Sequence, residues 1–415
     1  MEHQKTVMNN PFLKKNFKST WIKYFSSPDS ETSIKAIEEL DFIKSKYFHY
    51  HNVGRNMTNG MTYKVEGSNN GLSRKVFLIY DVLPGTSYIQ NGTKTGVRKS
   101  RQIKGYLTDF EGFSSYEDYY KSQFSSKRRG HMRRTHKKLY DNFDITFKAL
   151  IGKENIDLFD CLYDSFIKMI KERFSELGIH HNILNYQDYY RELMYNMIES
   201  EQGVMHCLLK GDSPIAICFS FLSEDRVFFA TQTFDVSFKK YSLGDLLLAN
   251  LLEWSFKNGF KIFDYSKGDY YYKRRWSNFS YYFENHILYN KNVFSSVVLS
   301  YLLLWYFDFK QFLREKEINK FVSKLKFLIR GNKNETKESV ELVKVENQDS
   351  SLPDNLFSTD NRKDEMMEEN EFKTAIYDYL FYNPQPEEEL KYYYDDSTEN
   401  YYIKSKSEIL LAAKK

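Results

Sequence analysis

The sequence predicts an α+β protein: a mixed sheet, flanked by helices, in which an antiparallel meander runs into one parallel step, with a disordered acidic C-terminal tail. Three observations carry this. Val204–Lys210, Ile215–Leu222 and Val227–Phe234 are strand-like runs joined by the short turns GDSP and SEDR, and short connections imply antiparallel pairing. The helix-like Ser242–Gly259 then separates Val227–Phe234 from the strand-like Phe260–Ser266, and a strand, a crossover helix and a strand require parallel pairing. From Gly331 onward the chain is polar, charged and without periodicity.

Four zones follow. Residues 1–124 form a Tyr-rich N-terminal α/β region, with a strand at Lys75–Leu83 and a hairpin or mobile loop at the Gly/Asn-rich Ser87–Gly96. Residues 125–290 are the core. It is entered through Ser114–Leu139, which reads as a helix, a short break and a strongly basic helix, with Gly130 marking where the helix proper begins. Within it, Phe159, Leu162, Phe166, Ile167, Ile170 and Phe174 put one buried face on a helix over Ile156–Leu177, which Gly178 ends. Tyr186–Ser200 is a second helix, stopped near Gly203. Ser242–Gly259 is apolar on nearly every side and therefore deeply packed. Ser242 and Asp245 form a capping-box arrangement at its start, and Gly259 marks its end.

Residues 291–330 are C-terminal helices packed on the core. Their apolar window, Val293–Phe307, is shorter than the roughly 20 residues a spanning helix needs. It reads as a helix packed on the domain, with an interfacial membrane contact as the alternative. Residues 331–415 are the tail, in which Phe372–Tyr382 is a candidate docking helix. A protease is expected to remove the chain beyond about Gly331 and leave a stable core.

The net charge of +4 hides an asymmetry. Residues 331–415 carry 11 Lys and Arg against 20 Asp and Glu, and the rest carries 49 against 36. A basic body suggests an anionic partner: a phosphorylated cofactor, an acidic glycan or a nucleic acid. Cys161, Cys207 and Cys218 are isolated in apolar runs, which suggests buried, reduced thiols. The N-terminus MEHQKTVMNNPFLKKNF has no apolar run and is no signal peptide, so the expected setting is cytoplasmic, with no transmembrane segment. His180-His181 has no further ligand nearby in sequence, and no metal is expected.

The joint between Val227–Phe234 and the following helix is the first candidate site. A helix start offers free N–H groups and the positive end of the dipole, which suit a phosphate. Gly244 lies in that first turn, and Lys239 and Lys240 precede it. An ordinary capped helix accounts for the same residues, and Asp245 counts against an anion there.

The stretch FDYSKGDYYYKRRWSN, Phe263–Asn278, resembles the signature of the CelD-like acetyltransferases of the GNAT superfamily. There a strand ends in a D-x-x-x-G-[DE] turn and a Tyr-Lys pair precedes an aromatic, here Asp264, Gly268, Asp269, Tyr272, Lys273 and Trp276. FSSKRRGHMRRTHKKL, SPIAICFSFL and TFDVSFKKYSLGDLLL stand in the family's order, and the resemblance covers roughly Gly105 to Asn290. It implies a GNAT-like sheet; the region before Gly105 and the tail carry no matching motif, and residues 1–124 are at most a degenerate GNAT-like half. It also implies an acyl-CoA donor such as acetyl-CoA, whose pyrophosphate lies at Tyr241, Ser242, Leu243, Gly244 and Asp245. The acceptor is expected to be an amine or hydroxyl on a small molecule or sugar, in polysaccharide or envelope synthesis of a bacterium. KYSLGD departs from the multi-glycine loop of many GNAT enzymes. The Lys-x-x-aromatic pattern also resembles the FemABX aminoacyltransferases, which draw on aminoacyl-tRNA. A GNAT-fold binding module without catalysis is the third reading.

Acyl transfer to an amine needs a base, groups facing the oxyanion and an acid for the thiolate. The resemblance puts Lys273 at the oxyanion or a substrate anion, Tyr272 as the acid, and Asp269 as the base or the residue that orients Lys273. Tyr270 and Tyr271 read as packing or surface, and Arg274 and Arg275 as a solvated cationic patch. In the basic helix, Arg129 and Arg133, Arg133 and Lys137, and Arg134 and Lys138 are like charges one turn apart, which repel unless an anion meets them. The resemblance places Arg133 and Arg134 on the acceptor side. No nucleic-acid motif is present, so DNA is not expected, and tRNA enters only with the FemABX reading.

Overall fold

Alternation along the strands shows how the chain is layered. In the computed structural model, which describes residues 9–26, 31–33, 37, 39–45, 48–65, 72, 74–89, 94–154, 156–316, 340–345, 363–395 and 400–414, twelve strands form one mixed sheet. They are β1 (Glu31–Ser33), β2 (Asp41–Lys44), β3 (Tyr50–Asn52), β4 (Met61–Val65), β5 (Phe77–Ile89), β6 (Thr95–Asp109), β7 (Ile145–Leu150), β8 (Gly203–Lys210), β9 (Ser213–Leu222), β10 (Arg226–Phe234), β11 (Ile262–Lys267) and β12 (Phe279–Asn290). Their order is β1-β2-β3-β5-β12-β6-β11-β10-β9-β8-β7, with β4 also on β5. Both faces are buried. From β8, Met205, Cys207 and Leu209 enter one core while Val204 and Leu208 enter the other.

The first core is covered by α1 (Lys15–Phe25), α4 (Phe159–Glu176) and α5 (Gln187–Glu199), numbered after α2 (Tyr116–Gln123) and α3 (Ser126–Asn142). The second is covered by α2, α3 and α6 (Leu243–Lys257). The expected meander β8-β9-β10 and the parallel β10–α6–β11 step are both present, and β7, which the sequence did not mark, extends the meander by pairing antiparallel with β8. α7 (Tyr271–Trp276) follows β11, and α8 (Phe294–Glu315) follows β12.

Three local expectations change. Ser87–Gly96 does not join a hairpin, because β12 inserts between β5 and β6 and pairs antiparallel with both. A mobile loop there would fall on residues 90–93, which lie outside the described residues. Gly130 sits inside α3, which starts at Ser126 with Ser125 as its cap. Cys161 is exposed, while Cys207 and Cys218 are buried as expected. It stands on the outer side of α4, whose buried residues are Phe159, Leu162, Tyr163 and those a turn further on.

The tail needs correction over residues 340–345, 363–395 and 400–414, while residues 331–339 and 346–362, on which the disorder expectation also falls, lie outside the described residues. Residues 363–395 and 400–414 are folded: α9 (Lys363–Glu368) and α10 (Asn370–Tyr382) accompany a second sheet. That sheet is antiparallel, in the order β13 (Val340–Lys344), β16 (Ile409–Lys414), β15 (Asn400–Lys404), β14 (Lys391–Asp395). α10 is the docking helix. Its Phe372, Ile376, Tyr377 and Leu380 are buried in the second core. Tyr377 packs on Phe143 and Phe238 at ring distances of 4.9 and 4.4 Å. Ion pairs fix the same surface: Lys210–Glu387 and Lys240–Asp378 at 2.8 and 2.9 Å, and Lys373–Asp235 at 2.5 Å. The acidic composition hid an aromatic core, because Tyr buries a large ring while its hydroxyl keeps a polar partner.

Candidate functional site

β10 and β11 pair in parallel over three positions, Arg226–Ile262, Val227–Phe263 and Phe228–Asp264. Beyond these, β10 stays on β9 as far as Phe234, and β11 stays on β6 as far as Lys267. The two strands therefore splay toward their C-terminal ends, and α6 begins just past the end of β10. Each strand carries an irregularity at the split. In β10 the register shifts between Phe229 and Thr231, and in β11 between Asp264 and Lys267. Bulges recur beside active sites because they re-aim side chains. Ser266 in the second bulge is left-handed at φ +61°, and Ser242 before α6 at +56°. Such strain in residues other than glycine clusters at functional sites. Ser266 Oγ donates to the Phe229 carbonyl at 3.0 Å and so ties the two strands at the point of divergence.

At the end of β11, Gly268 has φ +107°. A side chain there would be strained, and its Cβ would stand 2.6 Å from the Tyr270 ring. The turn brings α7 back over the strand end. Lys273 is buried, and its Nζ donates to the carbonyls of Lys267 at 2.6 Å and Ser266 at 3.4 Å. An ammonium has three donors, so one remains. Burial lowers its pKa to about 8, Asp264 opposes that shift, and Lys267 adds to it. Tyr272 is half-buried beside Phe229, with ring centroids 6.4 Å apart, and Tyr270 stacks on it at 6.1 Å. Burial pushes the Tyr272 hydroxyl well up, so it stays protonated, as an acid must.

Asp269 lies elsewhere. It is exposed, forms a two-pronged pair with Arg274 at 2.5 and 2.7 Å, and accepts from the Tyr106 hydroxyl. Arg274 holds its carboxyl below the usual range. It therefore does not orient Lys273. The buried carboxylate nearest in role is Asp264, fully buried, which accepts from Tyr281 at 2.7 Å and pairs with Arg226 at 3.2 Å. Next to it Lys267 pairs with Asp81 at 2.8 Å.

At the start of α6 the sequence-based residues divide. Ser242 caps the helix without a side-chain bond, so the capping box is not formed. The Asp245 carboxylate turns instead to Arg128 at 3.1 Å, to the Trp276 indole at 3.2 Å and to Arg275. Two guanidiniums outweigh one carboxylate, so this helix start remains cationic. The Nε–H groups of Arg128 and Arg275 are buried there with no acceptor among the described residues. These unfilled donors fit an anionic group. Tyr241 is a core residue: its hydroxyl donates to the Tyr377 carbonyl and accepts from Asn142, so its side chain faces away from the helix start. Leu243 is buried in the same core. Gly244 faces the split; a Cβ there would lie 3.1 Å from Phe234 and 3.7 Å from Gln232. Arg133 and Arg134 are exposed on α3.

The sequence did not single out Arg173. From α4 its guanidinium lies 4.0 Å over the Phe234 ring and donates to the Gln232 carbonyl at 3.4 Å. Nor did it single out Ser266 or Arg128 by name. Nothing in local pattern marks the first two; Arg128 was legible only as one cation in a run.

The split, the glycine turn and the first turn of α6 all lie within one matched segment. Residues 126–274 match the acetyltransferase (GNAT) domain. The GNAT match runs from the first residue of α3 into α7, and so includes β10, α6, β11 and Lys273. No curated protein matches the chain. Among solved structures, FemX is 11% identical, with a TM-score of 0.46 over 73% of this chain and 98% of its own. A conserved protein of unknown function from Bacteroides thetaiotaomicron VPI-5482 is 10% identical, with a TM-score of 0.44 over 69% and 94%. L-PGS from Bacillus licheniformis is 11% identical, with a TM-score of 0.37 over 65% and 85%. Among the described residues no cluster of His, Cys, Asp or Glu could hold a metal, and no helix is long and apolar enough to cross a membrane.

Proposed function

We propose that the protein is an acyltransferase of the CelD-like branch, moving an acyl group from acyl-CoA to an amine or hydroxyl of a small-molecule or sugar acceptor. The observation that carries this reading is the splay of β10 from β11 beside a cationic helix start. A thioester arm laid between the strands meets unpaired strand edges, and its pyrophosphate meets the first turn of α6, Arg128 and Arg275. Lys273 supplies positive charge at the end of β11, where an oxyanion would form, and Tyr272 supplies a proton to the departing thiolate. Asp269, held ionised at the surface by Arg274, is a weak base; the acceptor's proton then leaves through another carboxylate or water. Arg133 and Arg134 offer an exposed cationic side for an anionic acceptor.

Calorimetry with acetyl-CoA tests the donor. Binding is expected, and Gly244→Glu should weaken it at least about tenfold, because the new carboxylate fills the mouth of the split and repels phosphate. No heat of binding from folded protein would overturn the acyl-CoA reading. One observation favours a second donor. The single-glycine turn, with Phe234 3.1 Å from the Gly244 Cβ position, is tight, and exposed Arg133 and Arg134 suit an RNA backbone. Binding of aminoacyl-tRNA in place of acetyl-CoA would select the FemABX-like transfer. Binding of acetyl-CoA without any turnover would select a binding module.

A further inference from the structure

α8 is held on the sheet by one face only. Phe307 packs with Val76, Leu78, Tyr80 and Ile287, while Ser296, Ser300 and Gln311 are buried alongside. Ser300 accepts from Arg98 at 2.8 Å, and Asp308 accepts from Ser100 at 2.6 Å. The opposite face is apolar and open to solvent along its length. Phe294, Val298, Tyr301, Trp305, Phe309 and Phe312 recur every three or four residues and so form one stripe. They are large side chains, and Phe294 and Trp305 are 85% and 67% exposed. From Phe294 to Phe312, eighteen residue steps, the stripe is about 27 Å long. A row of this size is more than the scattered apolar residues of an ordinary surface.

The charges around it have one predominant sign. Lys291 stands before the helix, Lys310 and Arg314 stand on it, and Lys316 follows its last residue. Arg98, Lys99 and Arg101 lie on β6 beneath, against Asp308 and Glu315 on the helix and Glu284 on β12. Cations flanking an aromatic stripe complement an anionic bilayer surface, where Trp and Tyr rings sit at the headgroup level and cations meet the phosphates. A second copy of this chain would bring these cations together across a shared apolar seam.

We propose that α8 docks the protein flat on an anionic phospholipid surface, its outer aromatic stripe in the headgroup layer and its inner face on the sheet. This contact lies on β5, β6 and β12 and is independent of the acyl-transfer reading.

The test is co-sedimentation of the full chain with vesicles of phosphatidylcholine alone and of phosphatidylcholine with phosphatidylglycerol at a 3:1 ratio, a probe composition of about 25% anionic lipid. Trp305 is the exposed tryptophan, so its emission should shift to the blue on anionic vesicles, and raised salt should weaken the binding. The double variant Trp305→Ser, Phe309→Ser removes only outward side chains, so its melting temperature should be unchanged. Its partition onto anionic vesicles should fall at least about tenfold. Equal pelleting of both proteins, or none of either, overturns the proposal. It is also overturned if the wild type is a dimer in solution, the variant a monomer, and neither pellets.

Discussion

Lys273→Ala is expected to lower acyl-transfer turnover by about 100- to 1000-fold while leaving acyl-CoA affinity nearly intact, the pattern for a contact that strengthens as charge develops. The substitution also leaves the carbonyls of Ser266 and Lys267 without their donor, at a cost of about 1–3 kcal/mol, so a modest fall in melting temperature should accompany it. Arg274→Ala, one residue on, removes a surface pair with Asp269 and should do far less to turnover. Tyr272→Phe should fall between them. The pH profile separates a charged role from a packing role. With its pKa near 8, Lys273 is an ammonium at neutral pH, and turnover should fall as pH rises through about 8. That limb should vanish in Lys273→Ala. The sign for stability is the reverse. Lys273 titrates lower in the fold than its ordinary 10.5, so below about 8 the burial cost is felt in full. Between about 8 and 10.5 the folded chain releases the proton first, and stability rises with pH. Slow hydrolysis of acetyl-CoA serves as the assay until an acceptor is found. Equal, mild losses in Lys273→Ala and Arg274→Ala would mean that Lys273 only holds the turn.

A chain ending at Lys316 is expected to be unfolded or insoluble. It loses the buried side chains Phe372, Ile376, Tyr377, Leu380 and Tyr392. At about 1.5–3 kcal/mol each, their sum is on the order of 10 kcal/mol, as large as the whole stability of a typical domain. It also strands Phe143, Phe238 and Tyr241 at the surface. Tyr377→Ala in the full chain is the graded version and should cost about 3–5 kcal/mol. Circular dichroism and thermal melts read both. A truncated chain melting within a few degrees of the full one would show that α10 is an ornament on a self-sufficient core.

That expectation is the opposite of what composition suggests, and the reason is specific. Charge counting scores Asp378 and Glu387 as solvated, whereas they pair with Lys240 and Lys210 at the rim of an aromatic cluster. The meander and the β10–α6–β11 step were legible because their connections are short and their periods clear. β6 was not. Its run Val97–Lys104 alternates cations with few apolar residues, and only pairing on both edges makes it a strand. In the site, Gly268, Tyr272 and Lys273 come together at the end of β11. Tyr241 fails for a reason no spacing reveals: it neighbours the helix start in sequence, while its ring points backward toward Tyr377. Arg173 comes from a helix about 60 residues before the split, and only the fold brings it there.

The position of β6 between β11 and β12 also sets a clock on synthesis. Asp109, at the end of β6, bonds to Asn278, which is 169 residues later in the chain. At about 5–20 residues per second, a ribosome needs on the order of 10–30 seconds to deliver that partner. For that interval β6 has two bare edges, and β5 has one, on the side that β12 will occupy. The four cations of β6, Arg98, Lys99, Arg101 and Lys104, then repel like strands on neighbouring nascent chains. The low apolar content that hides β6 from a sequence reader thus guards it while it waits.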